Sequence, residues 1–183
     1  LTEISAAPLT QEPADDFRPI TGPDSVVLAV HDARKAAHYY SATLAMRCTA
    51  YSGPENGNPE TCAYVFETGP ARYVLTSVVQ VLTGHGRLIA DHLARYGEGI
   101  VDLALRVPDA YAAFDYAVDR GAAPIAEPYE LTDRQGTVVL AVIATAGAAR
   151  HTLVDRTRYR GPYLPGFTPV PDRLRPPTTS LLG

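Results

Sequence analysis

The sequence is poor in the features that mark the commoner functional classes. Only two cysteines, Cys48 and Cys62, occur in 183 residues. That is too few for a disulfide scaffold. Both fall in predicted strands, where cysteine serves as a small apolar residue. There is no basic excess, since the formal charge is -4. A nucleic-acid surface needs clustered Lys and Arg to displace counterions, so no nucleic-acid partner is expected. No apolar run approaches the roughly 20 residues of a membrane-spanning helix, so no membrane partner is expected. Residues 1–13 have neither the basic stretch nor the apolar core of an export signal, which makes a cytoplasmic location the expectation. The sequence holds no GxSxG elbow, no Walker A loop and no CxxC pair.

What the sequence does have is a core and a repeat. Apolar residues make up 46% and charged residues 20%, a balance that supports a folded domain. SVVLAV at 25–30 reads as a buried strand. Asp32 then caps a helix whose Ala33, Ala36, Ala37, Tyr40 and Leu44 recur at helical spacing. Strands follow at 47–52 and 61–67, joined by a hairpin in which Asn56-Gly57 tolerates positive φ. A strand at 71–79 comes next, then a short helix at 86–96 with Leu88, Ile89, Leu93 and Tyr96 turned inward. The order then restarts. A strand at 100–107 leads to a helix capped by Asp109 and closed at Gly121. Strands at about 124–131, 136–145 and 149–156 complete the second half, with a turn at DRQG, 133–136.

The two halves match letter by letter. Leu28, Val30, Asp32, Ala33, Ala36 and Tyr39 correspond to Leu105, Val107, Asp109, Ala110, Ala113 and Tyr116 at an offset of 77. Ala71, Arg72 and Leu75 correspond to Ala149, Arg150 and Leu153 at an offset of 78. Each half reads strand, helix, strand, strand, strand. Neither can bury its sheet face alone, so the two are expected to pack as a pair. The predicted class is α+β: two paired βαβββ modules, at about 22–82 and 98–160, with mixed curved sheets and flanking helices. They form one domain over 20–168, between a flexible arm at 1–19 and a Pro-rich linker or tail at 169–183. The whole stretch from residue 157 onward, RGPYLPGF included, reads as linker rather than core, because Pro removes backbone donors.

Paired βαβββ modules resemble the vicinal-oxygen-chelate, or glyoxalase-like, superfamily. The wording of AAHYYSATLAM, AYSGPENGNPETCAYV, ADHLARYGEGIVDLALRVPDA, AEPYELTDRQGTVVLA and RHTLVDRTRYRGPYLPGF is narrower. It resembles the N-terminal domain of bacterial 4-hydroxyphenylpyruvate dioxygenases, over roughly residues 20–168. The resemblance implies an enzyme of tyrosine catabolism that turns 4-hydroxyphenylpyruvate and O2 into homogentisate and CO2. It implies an iron(II) held by two His and one Glu in a C-terminal catalytic domain. That domain would be this chain's partner, and a homo-oligomer is the expected assembly. Hydroxymandelate synthase shares EGIVDLAL and RHTL and implies a related parent enzyme.

The resemblance also locates the superfamily's metal corners. Ser25 and Asp102 match the positions of His ligands, Thr152 that of the Glu, and Val74 its counterpart in the first module. Three of these four are poor ligands for iron, and a facial triad needs two His and a carboxylate. The chain alone is therefore expected to hold no metal, no cofactor and no catalytic residue. Asp102 is expected to be hydrogen-bonded or solvated at the mouth of the cleft. The five histidines have no HxH, HxxxH or HExxH spacing. His85 and His92 stand about 10 Å apart along one helix, too far to share a metal. Surface or interface roles are expected for all five. Tyr39, Tyr40, Tyr111 and Tyr116 read as core or interface residues, and Arg156, Arg158 and Arg160 as a solvated strand edge. Two alternatives stand beside the half-enzyme. One is a stand-alone, metal-free module holding a small aromatic ligand in a cleft rimmed by Ser25, Asp102 and Thr152. The other is an enzyme that recruits metal at a dimer interface.

Overall fold

A computed structural model describes residues 17–171. Residues 1–16 of the expected arm and the tail from 172 lie outside the described residues. The first module comprises β1 (Gly22–Ala29), α1 (Ala33–Leu44), β2 (Arg47–Ser52), a 3-10 turn (Pro54–Asn56), β3 (Thr61–Thr68) and β4 (Ala71–Val78). Then α2 (Gly84–Tyr96) crosses to the second module. This is β5 (Gly99–Arg106), α3 (Ala110–Asp119), β6 (Pro124–Asp133), β7 (Gly136–Ala144) and β8 (Arg150–Asp155). A two-residue strand, β9 (Thr168–Pro169), pairs with β2, and the Val170 amide continues the contact to the Thr49 carbonyl at 3.0 Å. The predicted tail boundary at 169 therefore falls inside a strand.

The strands form one curled sheet in the order β6-β7-β8-β5-β1-β4-β3-β2-β9. Within each module the first and last strands run parallel, β1 with β4 and β5 with β8. The modules join through the antiparallel pair β1–β5. That pair skips one residue on each strand, Asp24 on β1 and Val101 on β5. The skipped residues are 101 − 24 = 77 apart, the offset of the sequence repeat. Such a bulge bends its strand and re-aims the neighbouring side chains. Ser25 and Asp102 each follow a skipped residue.

The local signals act as their chemistry demands. Asp32 accepts the Lys35 amide at 3.0 Å, and Asp109 accepts those of Tyr111 and Ala112 at 2.9 and 3.1 Å. Each carboxylate satisfies helix donors that have no partner within the helix. Gly57 takes φ 99° in the β2–β3 connection, as the Asn-Gly pair predicts.

Alternation along the strands sorts the core into two faces. On the outer face, α1 packs on Phe66 and Leu75, and α3 on Val139, Ala141 and Leu153. The intervening Val65, Val74, Val138, Leu140 and Val154 point to the inner face. There α2 inserts Ile89 beside Ala29 and Val101. The remainder is covered by the segment expected to be linker. Tyr159 and Tyr163 are only 5% and 6% exposed, and Leu164 and Phe167 pack beside them. An open apolar sheet face must be covered by some part of the chain, and this segment does so.

Leu44 and Tyr96, predicted to turn inward, are instead exposed, and so are Tyr39 and Tyr111 of the four tyrosines expected at the core or an interface. Tyr39 and Tyr40 are adjacent, about 100° apart around the helix, so only one can face the sheet. Tyr40 does, with its ring 5.9 Å from that of Phe66. Leu44 and Tyr96 are the last residues of their helices, and Tyr111 lies in the first turn of its own.

Candidate functional site

The four predicted metal corners all lie on the two parallel strand pairs, β1 with β4 and β5 with β8. Their surroundings decide what they can hold. Ser25, 3% exposed, shares a hydrogen bond of 3.0 Å with the Tyr163 hydroxyl. Val74 is apolar and packs with Tyr163. Asp102, also 3% exposed, accepts Arg150 Nε at 2.8 Å, the Thr152 hydroxyl at 2.5 Å and the Thr152 amide at 3.1 Å. So Asp102 and Thr152 are brought together, whereas Ser25 is bonded to the covering segment. The set offers one carboxylate, two hydroxyls and a hydrocarbon. Asp102 Oδ2 already accepts two hydrogen bonds and Oδ1 one, and a guanidinium stands beside them as counter-cation. These residues do not fit iron(II), which needs imidazole and carboxylate donors with open positions. Among the described residues, no three His, Cys, Asp or Glu lie close enough to hold a metal ion.

The first module has its own ion pair at Asp24, the residue before Ser25. Asp24, with no side-chain exposure, takes two hydrogen bonds of 2.7 Å from Arg156. Arg72 and Arg106 stand 3.6 Å away. Arg156 also donates to the Tyr163 carbonyl. The expected solvated edge is corrected at Arg156, whose side chain is 15% exposed and tied to the central strand, whereas Arg158 and Arg160 are exposed. Burial alone would push the Asp24 carboxyl up. The Arg156 hydrogen bonds and the three nearby guanidinium charges outweigh that and hold it below the ordinary range.

Between the two ion pairs, the inner face encloses a cavity of about 590 Å³. Its floor includes Val27, Val74, Ala104, Leu140 and Val154, and its cover Leu164 and Phe167. One end is polar, with Glu60, His85, Asp102, Tyr129 and Arg150. Crowding by protein holds His85 below its usual value, and the Arg150 charge adds to this. Crowding likewise raises the Tyr129 phenol. Both are therefore neutral near pH 7. The Glu60 carboxylate is occupied by the amides of Leu82 and Thr83, at 3.0 and 2.5 Å, and by the Thr83 hydroxyl at 2.6 Å. It thus caps α2 from the β2–β3 connection.

The histidines depart from expectation at one position. His92 is 8% exposed, with its ring 5.3 Å from that of Tyr96, so it is a core residue. His151 meets the Leu103 carbonyl at 2.8 Å. Sequence reasoning missed Glu60, His85, Tyr129 and Arg150 as one group, because they come from a loop, a helix and two strands. The available signal was Arg150, which the repeat pairs with Arg72.

Comparisons with known proteins give the chain relatives. No family model matches it. The 4-hydroxyphenylpyruvate dioxygenase of Dictyostelium discoideum is 40% identical over 148 residues, covering 80% of this chain and 40% of that protein. A probable 4-hydroxyphenylpyruvate dioxygenase 2 of Aspergillus fumigatus is 37% identical over 169 residues, covering 82% and 42%. The chain is thus homologous to these dioxygenases over about two fifths of their length. Both relatives are eukaryotic, so the expected bacterial character draws no support from them. Among solved structures, a triple mutant of 4-hydroxymandelate synthase from Streptomyces coelicolor matches with TM-score 0.71 and 26% identity, over 84% of this chain and 43% of that one. Methylmalonyl-CoA epimerase from Mycobacterium tuberculosis matches with TM-score 0.59 and 23% identity, over 74% and 88%. The architecture is the vicinal-oxygen-chelate fold.

Proposed function

We propose that this chain is the N-terminal, non-catalytic half of a 4-hydroxyphenylpyruvate dioxygenase-like enzyme. In the whole enzyme, a C-terminal domain would hold iron(II) and convert 4-hydroxyphenylpyruvate and O2 to homogentisate and CO2. This half would serve as its structural partner. The observation that carries the reading is Asp102. The one carboxylate among the four corners is spent on Arg150 and Thr152, at a position where a catalytic module needs a free ligand. The match to only two fifths of each dioxygenase supports it further. An apolar run, Val79, Val81 and Leu82, is 52%, 43% and 60% exposed ahead of α2, as suits a face that packs on a larger assembly. The unpaired cysteines suit a reducing, cytoplasmic setting.

The test is direct. The chain is purified, mixed with iron(II), and assayed for bound metal and for O2 uptake with 4-hydroxyphenylpyruvate. The expected result is neither stoichiometric iron nor uptake until a C-terminal half is supplied. One iron per chain, or product formed by the chain alone, refutes the proposal. The likeness to 4-hydroxymandelate synthase favours a second parent. The product of the reconstituted enzyme, homogentisate or 4-hydroxymandelate, separates the two.

A further inference from the structure

The cavity is larger than packing defects in a protein interior and lies within the range of small-molecule sites, about 300–1,000 Å³. A groove of about 790 Å³ also runs beside α1, past Arg34, His38, Tyr64 and Pro169, but it is shallower and more open to solvent. The inner cavity differs in that its two carboxylates are already engaged while strong donors are open. Asp102 accepts from Arg150 and Thr152, and Glu60 from the start of α2. The donors are open. Arg150 commits Nε to Asp102, and its two terminal nitrogens have no acceptor among the described residues. The Tyr129 hydroxyl likewise has none. His85 stands close enough to feel the charges of Arg150, Asp102 and Glu60. Away from this end Val74, Leu140, Leu164 and Phe167 supply hydrocarbon and ring surface, interspersed with polar groups such as Ser52, Asn56 and Thr76.

We infer that this cavity binds a small aromatic molecule bearing an oxygen acceptor, a carboxylate or a ketone, which Arg150 and Tyr129 hold while Val74, Leu140 and Phe167 bury the ring. The Arg150–Asp102 bond fixes the guanidinium in advance, so little side-chain freedom is lost on binding. A guanidinium offered to an oxygen acceptor makes one of the stronger hydrogen bonds available to a protein. The second module's corner would thus bind an organic oxygen where a catalytic module binds a metal. The inference stands apart from the half-enzyme reading, because either can fail without the other.

The test uses the 183-residue chain and three probes: 3-phenylpropionate, 4-phenylbutan-2-one and propylbenzene. They share a ring and a short chain and differ in the acceptor. Calorimetry should give one site per chain for the acid or the ketone. For fragments this small, the dissociation constant should be of order 0.1–1 mM. The hydrocarbon should bind about tenfold more weakly. His85 ring signals should shift in NMR titrations, whereas those of His31 and His38 should not. The substitution R150M should weaken the acid about tenfold or more. It also removes a partner of Asp102, so Y129F serves as the second variant should R150M fail to fold. Tyr129 is 42% exposed and its hydroxyl bonds nothing in the described protein, so Y129F keeps the fold and should bind severalfold more weakly. Any of three results overturns the inference: no saturable binding of acid or ketone up to about 10 mM, equal binding of the hydrocarbon with both variants unchanged, or shifts confined to histidines outside the cavity.

Discussion

Asp24 is the place to test what holds the two modules together. Its carboxylate has no exposure, and Arg156, itself 15% exposed, grips it through two hydrogen bonds of 2.7 Å. Removing one partner of a buried pair leaves the other charge desolvated and costs about 3–5 kcal/mol. D24N retains one acceptor and should fall at the lower end, near 3 kcal/mol, and D24A nearer 5 kcal/mol. For a chain of this size, 3 kcal/mol lowers Tm by about 10 °C. The measurement is urea unfolding followed by circular dichroism at pH 7, with Tm as a second readout. The double variant D24L/R156M should lose less than either single variant, because an apolar pair replaces both charges at once.

The dependence on pH follows from the sign of the shift. Asp24 titrates lower in the folded chain than its ordinary value of 3.8. Its contribution is therefore complete above pH 3.8 and is lost as the pH falls through the lower folded-state value. The stability gap between wild type and D24N should be constant from pH 7 to about 5 and close in stronger acid. A loss below about 1 kcal/mol at pH 7 would place Asp24 among ordinary surface ion pairs and refute the reasoning. A gap that widens in acid would refute it equally.

Three further outcomes are expected. The Glu60 carboxyl, held by the Thr83 hydroxyl and amide and by Leu82, should titrate at about 2 in NMR; its stabilising effect is present above its ordinary 4.5 and fades through about pH 2, and E60Q should speed amide exchange at Leu82 and Thr83. G86A should destabilise the chain by about 1–3 kcal/mol in denaturant unfolding, since a Cβ there would lie 2.5 Å from Glu60 Oε1 and 2.7 Å from its Cγ. A45G should stabilise it by about 1 kcal/mol, because Ala45 ends α1 at φ 52°, a conformation that costs an L side chain but not glycine; an unchanged Tm would count against this.

How far the sequence reaches is clearest at particular residues. Hydrophobic period and capping chemistry act within a few residues, so the roles of Asp32, Asp109 and the Asn56-Gly57 turn are written in their immediate neighbours. The pairing of Ser25 with Asp102 was legible too, because an offset of 77 survives in the letters. The partners of those residues were not. Arg150 reaches Asp102 only because β5 lies parallel to β8 with Asp102 opposite Arg150, and strand order is a long-range choice that local pattern leaves open. The segment 159–167 misled for a related reason. Its prolines forbid a regular sheet ladder, which argues for a linker, yet a segment covering a sheet face needs no ladder. Tyr159 and Tyr163 supply the apolar area instead.

The repeat also explains why one corner is filled and the other is open. Arg72 and its repeat equivalent Arg150 each tie the last strand of a module to its first, although their carboxylate partners differ in register: Asp24 corresponds to Val101 and Asp102 to Ser25. The chain after β8 can turn over only one of these corners. It takes the first, where Arg156 displaces Arg72 as the closest partner of Asp24 and Tyr163 lies against Ser25. Nothing equivalent among the described residues follows β4 onto the second corner, where α2 covers the sheet only as far as Ile89 and Val101. The two corners thus differ in cover, and the cavity between them is offered the open outer nitrogens of the second corner's guanidinium.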